Sequence, residues 1–135
     1  SKELDKKGIK EKVKFVSDLT SDEIAQLYAE STIAVSPSVY EGFGFPAGEA
    51  MSCGIPLVST NGGSLPEVVG DAGIVVNHSD PYSLYKGIKE LLDDDEKRLM
   101  YGKMGRDRVL DKFTWERAAR ELVDVYKEAI INANN

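Results

Sequence analysis

Apolar and polar residues alternate along the chain in short blocks that predict strands separated by helices. The apolar or β-branched blocks at residues 13–16, 33–37, 57–59 and 73–76 have the length and composition of strands. Longer amphipathic segments connect them. Short apolar strands that alternate with helices predict an α/β fold, in which helices cover both faces of an open parallel sheet.

Capping and helix-breaking residues indicate where the helices begin and end. Glu23 stands three positions after Thr20, and Glu67 three after Ser64; both pairs are capping-box patterns that start helices. The remaining predicted helices cover the amino-terminal residues to about 12, residues 46–53, residues 81–92, residues 96–110 with an interruption near Gly102 or Gly105, and residues 114–131.

The segment 40–51, YEGFGFPAGEAM, is the most informative part of the chain. It runs from a predicted strand through a glycine-rich loop to Pro46, a residue suited to the first turn of a helix. The amino end of a helix presents free N–H groups and a positive dipole to anions, typically phosphates. Glu41 in the loop and Glu49 in the helix add carboxylates that accept hydrogen bonds from sugar hydroxyls. Together these groups predict a site for a nucleotide diphosphate-sugar.

The predicted topology places this loop where open α/β sheets bind ligands, outside the carboxyl ends of the strands. Those ends are residues 17–18, 38–45 and 60–63, together with Asn77. The glycine-rich segments therefore fall at the expected edge of the sheet. Gly62 and Gly63 are either a plain turn or a border of the phosphate and sugar site.

Composition and charge narrow the classes of function. The 135 residues are 41% hydrophobic and 30% charged, which is typical of one soluble globular domain. The net charge of −6 argues against a nucleic-acid partner, because nucleic-acid binding requires a basic surface. Cys53 is the only cysteine, so the chain contains no internal disulfide and a cytoplasmic location is expected.

The order of the motifs resembles a known family. The matching residues are Ser36-Pro37-Ser38, Glu41-x7-Glu49, Ala50-Met51-x-Cys53-Gly54-Ile55-Pro56, Gly62-Gly63-x-x-Pro66-Glu67, Gly73-Ile74-Val75-Val76 and Phe113-Thr114-Trp115. The chain resembles the carboxy-terminal, donor-binding domain of retaining glycosyltransferases with two Rossmann domains, the glycosyl transferases group 1 (family 4 type). The resemblance implies a Rossmann-like open parallel sheet that is a truncated half of a GT-B-type enzyme.

The resemblance implies a role for each position in the site. Glu41 matches the glutamate that contacts the transferred sugar, and we assign it as the catalytic residue. Glu49 matches the glutamate that holds the ribose hydroxyls of the donor. The further donor-binding residues are Phe43, Gly44 and Phe45 through their backbone N–H groups, Leu19 beside the nucleobase, and Gly62 and Gly63. Related enzymes use no metal and no cofactor, since the nucleotide sugar is itself the substrate.

The resemblance also implies that the chain is incomplete. Related domains begin with two further strands and helices, which carry an Arg and a Lys that neutralise the leaving diphosphate. We expect residues 1–135 to be a single partial donor-binding domain, in which residues 114–131 form a helix that crosses to a missing amino-terminal acceptor domain. This chain alone is then expected to bind its donor weakly and to lack transferase activity.

The expected partners follow from this interpretation. They are a UDP- or GDP-sugar, the missing acceptor domain, a second copy of the chain, and a peripheral membrane acceptor at the cytoplasmic face. The second copy is expected because the predicted strand 13–16 lacks its normal neighbours. The segment must pair directly with residues 33–35, lie loose, or borrow a strand from another molecule. Direct pairing or self-association is expected, and direct pairing is slightly preferred.

Two alternative functions stay open at this point. One is a non-catalytic module that binds nucleotide sugars, and the other is a structural domain that has lost its ligand. Glu41 also has a plainer interpretation as a solvated loop carboxylate, and Glu49 as a partner of the helix dipole. Ligand titration separates the structural domain from the other candidates, and addition of the acceptor domain separates the enzyme from the binding module.

Overall fold

A parallel sheet of three strands forms the centre of the fold. The computed structural model describes residues 2–133. Its strands are β1 (Ala34–Ser36), β2 (Leu57–Thr60) and β3 (Ile74–Val76). They lie in the order β1-β2-β3, so β2 is central; Val58 pairs with Val35 on one side and with Ile74 on the other. This arrangement confirms the predicted parallel α/β fold.

Helices connect and flank the strands, as the sequence pattern predicts, except that the expected amino-terminal helix to about residue 12 is divided into two short helices. Within residues 2–133 they are α1 (Lys2–Lys6), a 3₁₀ helix (Lys10–Lys12), α2 (Ser21–Ala29), α3 (Phe45–Ser52), α4 (Leu65–Val69), α5 (Pro81–Leu92), α6 (Asp95–Lys112) and α7 (Trp115–Ala133). The capping box before α2 is confirmed, since Thr20 Oγ1 accepts from Glu23 N–H at 3.3 Å and Glu23 Oε2 accepts from Thr20 N–H at 2.8 Å.

The segment 13–16 is not a strand, and this part of the prediction is wrong. These residues belong to no strand of the sheet, so the preferred direct pairing with residues 33–35 does not occur either. Phe15 is 78% exposed. A short alternating segment becomes a strand when a neighbouring strand supplies hydrogen-bonding partners. Within the described residues, this segment makes no ladder with the free edge of β1, so its backbone lacks such partners.

Helix α6 is continuous, which corrects the interruption expected near Gly102 or Gly105. Both glycines are buried inside the helix. A Cβ at Gly102 would overlap the carbonyl oxygen of Gly54, and a Cβ at Gly105 would lie 3.3 Å from Cγ of Met51. The glycines therefore allow close packing of α6 against α3 and the turn that follows it, at the known energetic expense of glycine within a helix.

The hydrophobic core lies between one face of the sheet and helices α3, α4 and α6. Its buried residues are Ala47, Met51, Leu57, Leu65, Val68, Val69 and Ala72. Helix α5 covers the opposite face at β2 and β3, where Gly87 lies against Val58 and Ile74. On that same face Val35 in β1 stays 41% exposed. The sheet is thus covered on both faces only at β2 and β3.

Helix α7 extends from the domain without extensive contacts to other elements. Its exposed apolar residues are Trp115, Leu122, Val123, Val125, Tyr126, Ile130 and Ile131, and Trp115 is 89% exposed. The predicted helix over residues 114–131 is confirmed, and its amphipathic pattern leaves an apolar side without a partner in the described part of the chain. Among residues 2–133, no helix is long and apolar enough to cross a membrane.

Candidate functional site

The loops that follow the three strands are joined at the carboxyl edge of the sheet. Asn61, just after β2, donates its backbone N–H to the carbonyl oxygen of Val76 at the end of β3, at 2.8 Å. Its side-chain amide donates to Asn77 Oδ1 at 3.0 Å and accepts from the N–H of His78 at 2.8 Å. These three hydrogen bonds hold the loop after β2 against the loop after β3.

The loop after β1, residues 37–44, is held to the loop after β2 in the same way. The hydroxyl of Thr60 donates to the carbonyl oxygen of Ser38. Ser64 donates to the carbonyl oxygen of Glu41 through both its N–H, at 3.0 Å, and its hydroxyl, at 3.2 Å. The side chain of Ser64 makes no capping bond, so the capping box predicted with Glu67 is wrong. The competing contact with the loop after β1 uses its hydroxyl instead.

Gly62 and Gly63 allow these two loops to lie in contact. A Cβ at Gly62 would overlap the carbonyl oxygen of Val39, and a Cβ at Gly63 would overlap that of Glu41. Gly63 also has a φ of +59°, in the left-handed region that favours glycine. The two glycines therefore form a tight turn that directly supports the backbone of Glu41.

Glu41 presents a half-buried carboxylate at this edge. Its Oε1 accepts a hydrogen bond from the hydroxyl of Ser38 at 2.7 Å. Within residues 2–133, no Lys, Arg or His nitrogen lies within 4.0 Å of either carboxylate oxygen. Glutamates are rarely fully buried unless they are paired. Glu41 lacks a cationic partner among these residues, and its Oε2 is left to accept a hydrogen bond from a ligand.

The glycine-rich loop ends in a helix start that exposes backbone donors. Gly44, at the N-cap of α3, has a φ of 79° and no side chain caps the helix. The first backbone bond of this helix runs from Gly48 N–H to the carbonyl oxygen of Gly44, at 3.1 Å. In the described chain, the N–H groups of Phe43, Gly44 and Phe45 donate to no other residue. They add to the positive end of the α3 dipole, an arrangement that receives anions.

Glu49 is exposed on the second turn of α3. It lines a cleft of about 200 Å³ between α2 and α3, together with Tyr28 and Cys53. The Tyr28 hydroxyl donates to the carbonyl oxygen of Pro46 at 3.2 Å. Partial burial raises the pKa of this hydroxyl, and the negative charge of Glu49 raises it further. Tyr28 is therefore held as a neutral donor that links α2 to the start of α3.

The side chains of Phe43 and Phe45 form an aromatic cluster that the sequence did not predict. Their ring centroids are 4.8 Å apart, and Phe43 meets Phe113 edge-on at 6.0 Å. The cluster lines a cleft of about 370 Å³ that extends to Trp115 at the start of α7. It also borders a cleft of about 220 Å³ that includes Glu49. The aromatic rings therefore lie between the glycine-rich loop and α7.

The structure brings most of the predicted site residues together, but not all of them. Glu41 lies in contact with Gly63, and Glu49 shares a cleft with Phe43 and Phe45. The two glutamates share none of the clefts described above. Leu19 is half-buried, and no hydrogen bond among the described residues joins it to this edge. No group of three potential metal ligands occurs within residues 2–133.

Four polar residues that support the site were not assigned by sequence reasoning. They are Ser38, Thr60, Asn61 and Ser64, and each one follows or ends a strand. Their position after apolar segments was visible in the sequence. Their hydrogen-bond partners could not be read from the sequence, because each hydrogen bond joins residues of different loops or depends on how one loop turns.

The largest of the described cavities lies at the opposite edge of the sheet. It has a volume of about 640 Å³ and is lined by residues that precede β1 and β2 and by α6. Arg98 in its wall donates to the carbonyl oxygens of Leu91 and Leu92, and Arg106 donates to that of Ser52 at 3.1 Å. Both arginines thus make hydrogen bonds to backbone carbonyls that stabilise the fold. None of the predicted site residues lines this cavity.

Comparison with known proteins gives a family match and similar sequences. Residues 1–108 match the family model described as "Glycosyl transferases group 1". The MMP alpha-(1->4)-mannosyltransferase of Mycolicibacterium hassiacum is 40% identical over 126 residues, covering 91% of this chain and 31% of that protein. The chain thus spans about a third of the length of such curated relatives.

Solved structures show the same fold. Sucrose-phosphate synthase from Thermosynechococcus elongatus superposes with a TM-score of 0.84 at 29% identity, over 97% of this chain and 33% of that chain. The Anabaena protein HepE, solved in complex with UDP-glucose, superposes with a TM-score of 0.83 at 22% identity, over 94% of this chain and 35% of that chain. The second likeness concerns the fold alone.

Proposed function

This chain belongs to the glycosyl transferases group 1 family, and we propose that it forms the donor-binding part of a retaining glycosyltransferase. The enzyme transfers a hexose from a UDP- or GDP-sugar to an acceptor. The observation that carries the proposal is the half-buried Glu41, which lies in the loop that leads to the free N–H groups at the start of α3 and has no cationic partner in the described chain.

The chemistry of this edge suits the two ends of a nucleotide sugar. The N–H groups of Phe43, Gly44 and Phe45, with the α3 dipole, receive the diphosphate. Gly62 and Gly63 border the phosphate and sugar. Glu49 accepts hydrogen bonds from ribose hydroxyls. The Anabaena protein solved with UDP-glucose shares this fold.

Glu41 is the catalytic residue in this proposal. The bond between the sugar and the diphosphate breaks with development of positive charge at the anomeric carbon. The carboxylate of Glu41 contacts hydroxyls of the transferred sugar, and its interaction strengthens as this charge develops. The acceptor attacks from the face that the diphosphate leaves, so the configuration is retained without a protein nucleophile. Leu19 borders the nucleobase.

The acceptor is bound by a different part of the protein. The chain spans about a third of its curated relatives, and the apolar side of α7 is exposed. Residues 114–131 cross to an acceptor domain, and their apolar side chains become buried there. The protein acts in the cytoplasm or at the cytoplasmic face of a membrane, where a peripheral acceptor is available.

The test is sugar transfer by the complete gene product. Radiolabelled UDP-glucose and GDP-mannose are offered with acceptor extracts, and the anomeric configuration of the product is determined by NMR. We expect one donor to be used, with retention, and with activity kept in EDTA because the family resemblance implies a reaction without metal. Calorimetric titration of the same donors is the companion measurement.

The outcomes distinguish the three candidate functions. Binding with transfer supports the enzyme, while binding without transfer to any acceptor supports a nucleotide-sugar-binding module. Failure to bind either donor contradicts the proposal and supports a structural domain without ligand. Inversion of the anomeric configuration would contradict the retaining mechanism alone.

A further inference from the structure

The carboxylate of Glu41 is oriented by one side chain. The hydroxyl of Ser38 donates to Oε1 at 2.7 Å, and both residues are half-buried. No other side chain of the described residues donates to this carboxylate. One oxygen is therefore held by the protein, and the other stays available for a substrate hydroxyl.

Ser38 is itself anchored to the centre of the sheet. Its carbonyl oxygen accepts from the hydroxyl of Thr60, which is 3% exposed and ends the central strand β2. A buried hydroxyl that lacks a partner is destabilising, so this bond strongly restricts where Ser38 lies. The position of the Ser38 hydroxyl is therefore set by β2 rather than by the loop alone.

The other end of the segment is anchored as well. Ser64 donates two hydrogen bonds to the carbonyl oxygen of Glu41, and Gly63 packs against the same group. Residues 38 and 41 are thus both held by residues that end or follow β2. A flexible loop would leave the Glu41 side chain to sample several rotamers, whereas this double anchoring limits it.

We propose that Ser38 is a positioning residue that orients the Glu41 carboxylate toward the transferred sugar, with Thr60 and Ser64 holding Ser38 and Glu41 in register. The inference rests on the proposed function of Glu41. A preorganised charge stabilises a transition state without reorganising during the reaction, so the contribution of Ser38 is expected in kcat rather than in donor affinity.

A plainer role for Ser38 is to close the turn that contains Glu41. Loss of its hydroxyl would then change the melting temperature of the protein. Any loss of activity would also be the same whether or not Glu41 were present. These differences provide the test.

The experiment measures kcat and KM of the complete gene product with the donor that the wild type uses, UDP-glucose or GDP-mannose. Ser38→Ala is expected to lower kcat about tenfold, the scale of one hydrogen bond to a charged group. We expect the KM for donor to change less than about threefold, since the diphosphate and ribose contacts remain. Ser38→Thr keeps the hydroxyl and is expected to retain most of the activity.

Ser31→Ala is the matched control. Its hydroxyl also makes a 2.7 Å hydrogen bond, to the carbonyl oxygen of Leu27, but it lies before β1 at the opposite edge of the sheet. The kcat of the Ser31→Ala variant is expected to equal that of the wild type. Ser64→Ala gives a second test if Ser38→Ala lowers the melting temperature. Ser64→Ala removes one of the two hydrogen bonds from Ser64 to the carbonyl oxygen of Glu41. It is expected to lower kcat less than Ser38→Ala does, and again to change kcat more than KM.

A double-mutant cycle separates positioning from turn closure. In a Glu41→Ala background, Ser38→Ala is expected to have no further effect on kcat, because the group that it orients is absent. Independent, multiplicative losses would overturn the positioning role, as would a Ser38→Ala enzyme that behaves like Ser31→Ala. A wild-type protein that neither binds nor uses these donors would overturn the proposed function, and this inference with it.

Discussion

Individual residues at the carboxyl edge occupy their positions through contacts from neighbouring strands. Glu41 lies in a loop without regular structure, yet three hydrogen bonds from Ser38 and Ser64 define its backbone and side chain. Glu49 differs, because it lies on a regular helix and its position follows from the helix alone. The two glutamates should therefore respond differently to mutation.

Replacement of each glutamate by glutamine in the complete gene product tests their separate roles. Glu49→Gln is expected to raise KM for the donor with a smaller effect on kcat, since a ribose contact is similar in ground and transition states. Glu41→Gln is expected to lower kcat by roughly ten- to a thousand-fold, the scale of an oriented electrostatic contact. Steady-state kinetics with saturating acceptor measures both constants.

Glu96→Gln serves as the control for loss of charge. Glu96 is exposed in the first turn of α6, beside the cavity wall at the opposite edge, and wild-type constants are expected. If Glu49 governed kcat and Glu41 only KM, the two assigned roles would be exchanged. If Glu41→Gln and Glu49→Gln both had wild-type kinetics, the carboxyl edge of the sheet would have no part in the mechanism.

Alanine substitution of glycines tests the close contact of the two loops. Gly63→Ala is expected to destabilise the purified chain by about 1–3 kcal/mol, because the added Cβ overlaps the Glu41 carbonyl at a positive φ. Gly48→Ala, inside α3 with open space around it, is expected to stabilise by about 0.5–1 kcal/mol. Urea denaturation measures both, and a stabilised Gly63→Ala variant would refute the contact.

At the scale of elements, α6 holds α4 in place through one side chain. Arg108 donates from Nε to the carbonyl oxygen of Val68 at 2.8 Å, and from a terminal nitrogen to that of Glu67 at 2.7 Å. These carbonyls belong to the last turn of α4, where the helix leaves acceptors unsatisfied. Gly70 makes room, since a Cβ there would lie 2.5 Å from the guanidinium carbon.

The forked geometry of Arg108 predicts that lysine is a poor replacement. Arg108→Lys is expected to lower the free energy of unfolding by about 1–3 kcal/mol, because one ammonium cannot reach both carbonyls with the same geometry. Arg120→Lys, exposed on α7, is the matched control and should unfold like the wild type. Equal stability of the two variants, measured by urea denaturation, would show that the fork contributes nothing.

At the scale of the whole molecule, two apolar surfaces lack a partner among residues 2–133. One is the face of β1 at Val35, with Phe15 also exposed before α2. The other is the apolar side of α7. The segment 13–16 does not cover β1, so the free edge of this strand keeps unpaired backbone groups that invite pairing with another chain.

Self-association of the 135-residue chain is therefore expected, through the edge of β1. Sedimentation velocity should show a weight-average mass that rises with concentration. Val35→Lys is expected to reduce this association, because lysine on an edge strand disfavours pairing between chains. Val125→Lys on α7 is the control for loss of an exposed apolar residue and should associate like the wild type. Loss of association in Val125→Lys but not in Val35→Lys would place the contact on α7 instead.

The sequence predicted elements better than it predicted contacts between them. The strands at β1, β2 and β3 and the helices α2 to α7 occur where periodicity and capping placed them, since each pattern lies within one segment. Gly102 and Gly105 were mistaken for a break because their packing partners, Gly54 and Met51, are far away in the chain. The hydroxyl of Ser64 was expected to cap α4 but donates to the carbonyl oxygen of Glu41, for the same reason.

The sequence by itself determined the α/β class, the glycine-rich loop before α3, and the two glutamates as candidates, because these depend on the order of residues within short segments. Only the tertiary structure decided that 13–16 is not a strand and that Glu41 is held by Ser38 while lacking a cation within residues 2–133. It also decided that residues at and after the end of β2 anchor the loop after β1. The physical reason is that hydrogen bonds and close packing join residues distant in sequence, and each forms only where the folded backbone brings both partners together.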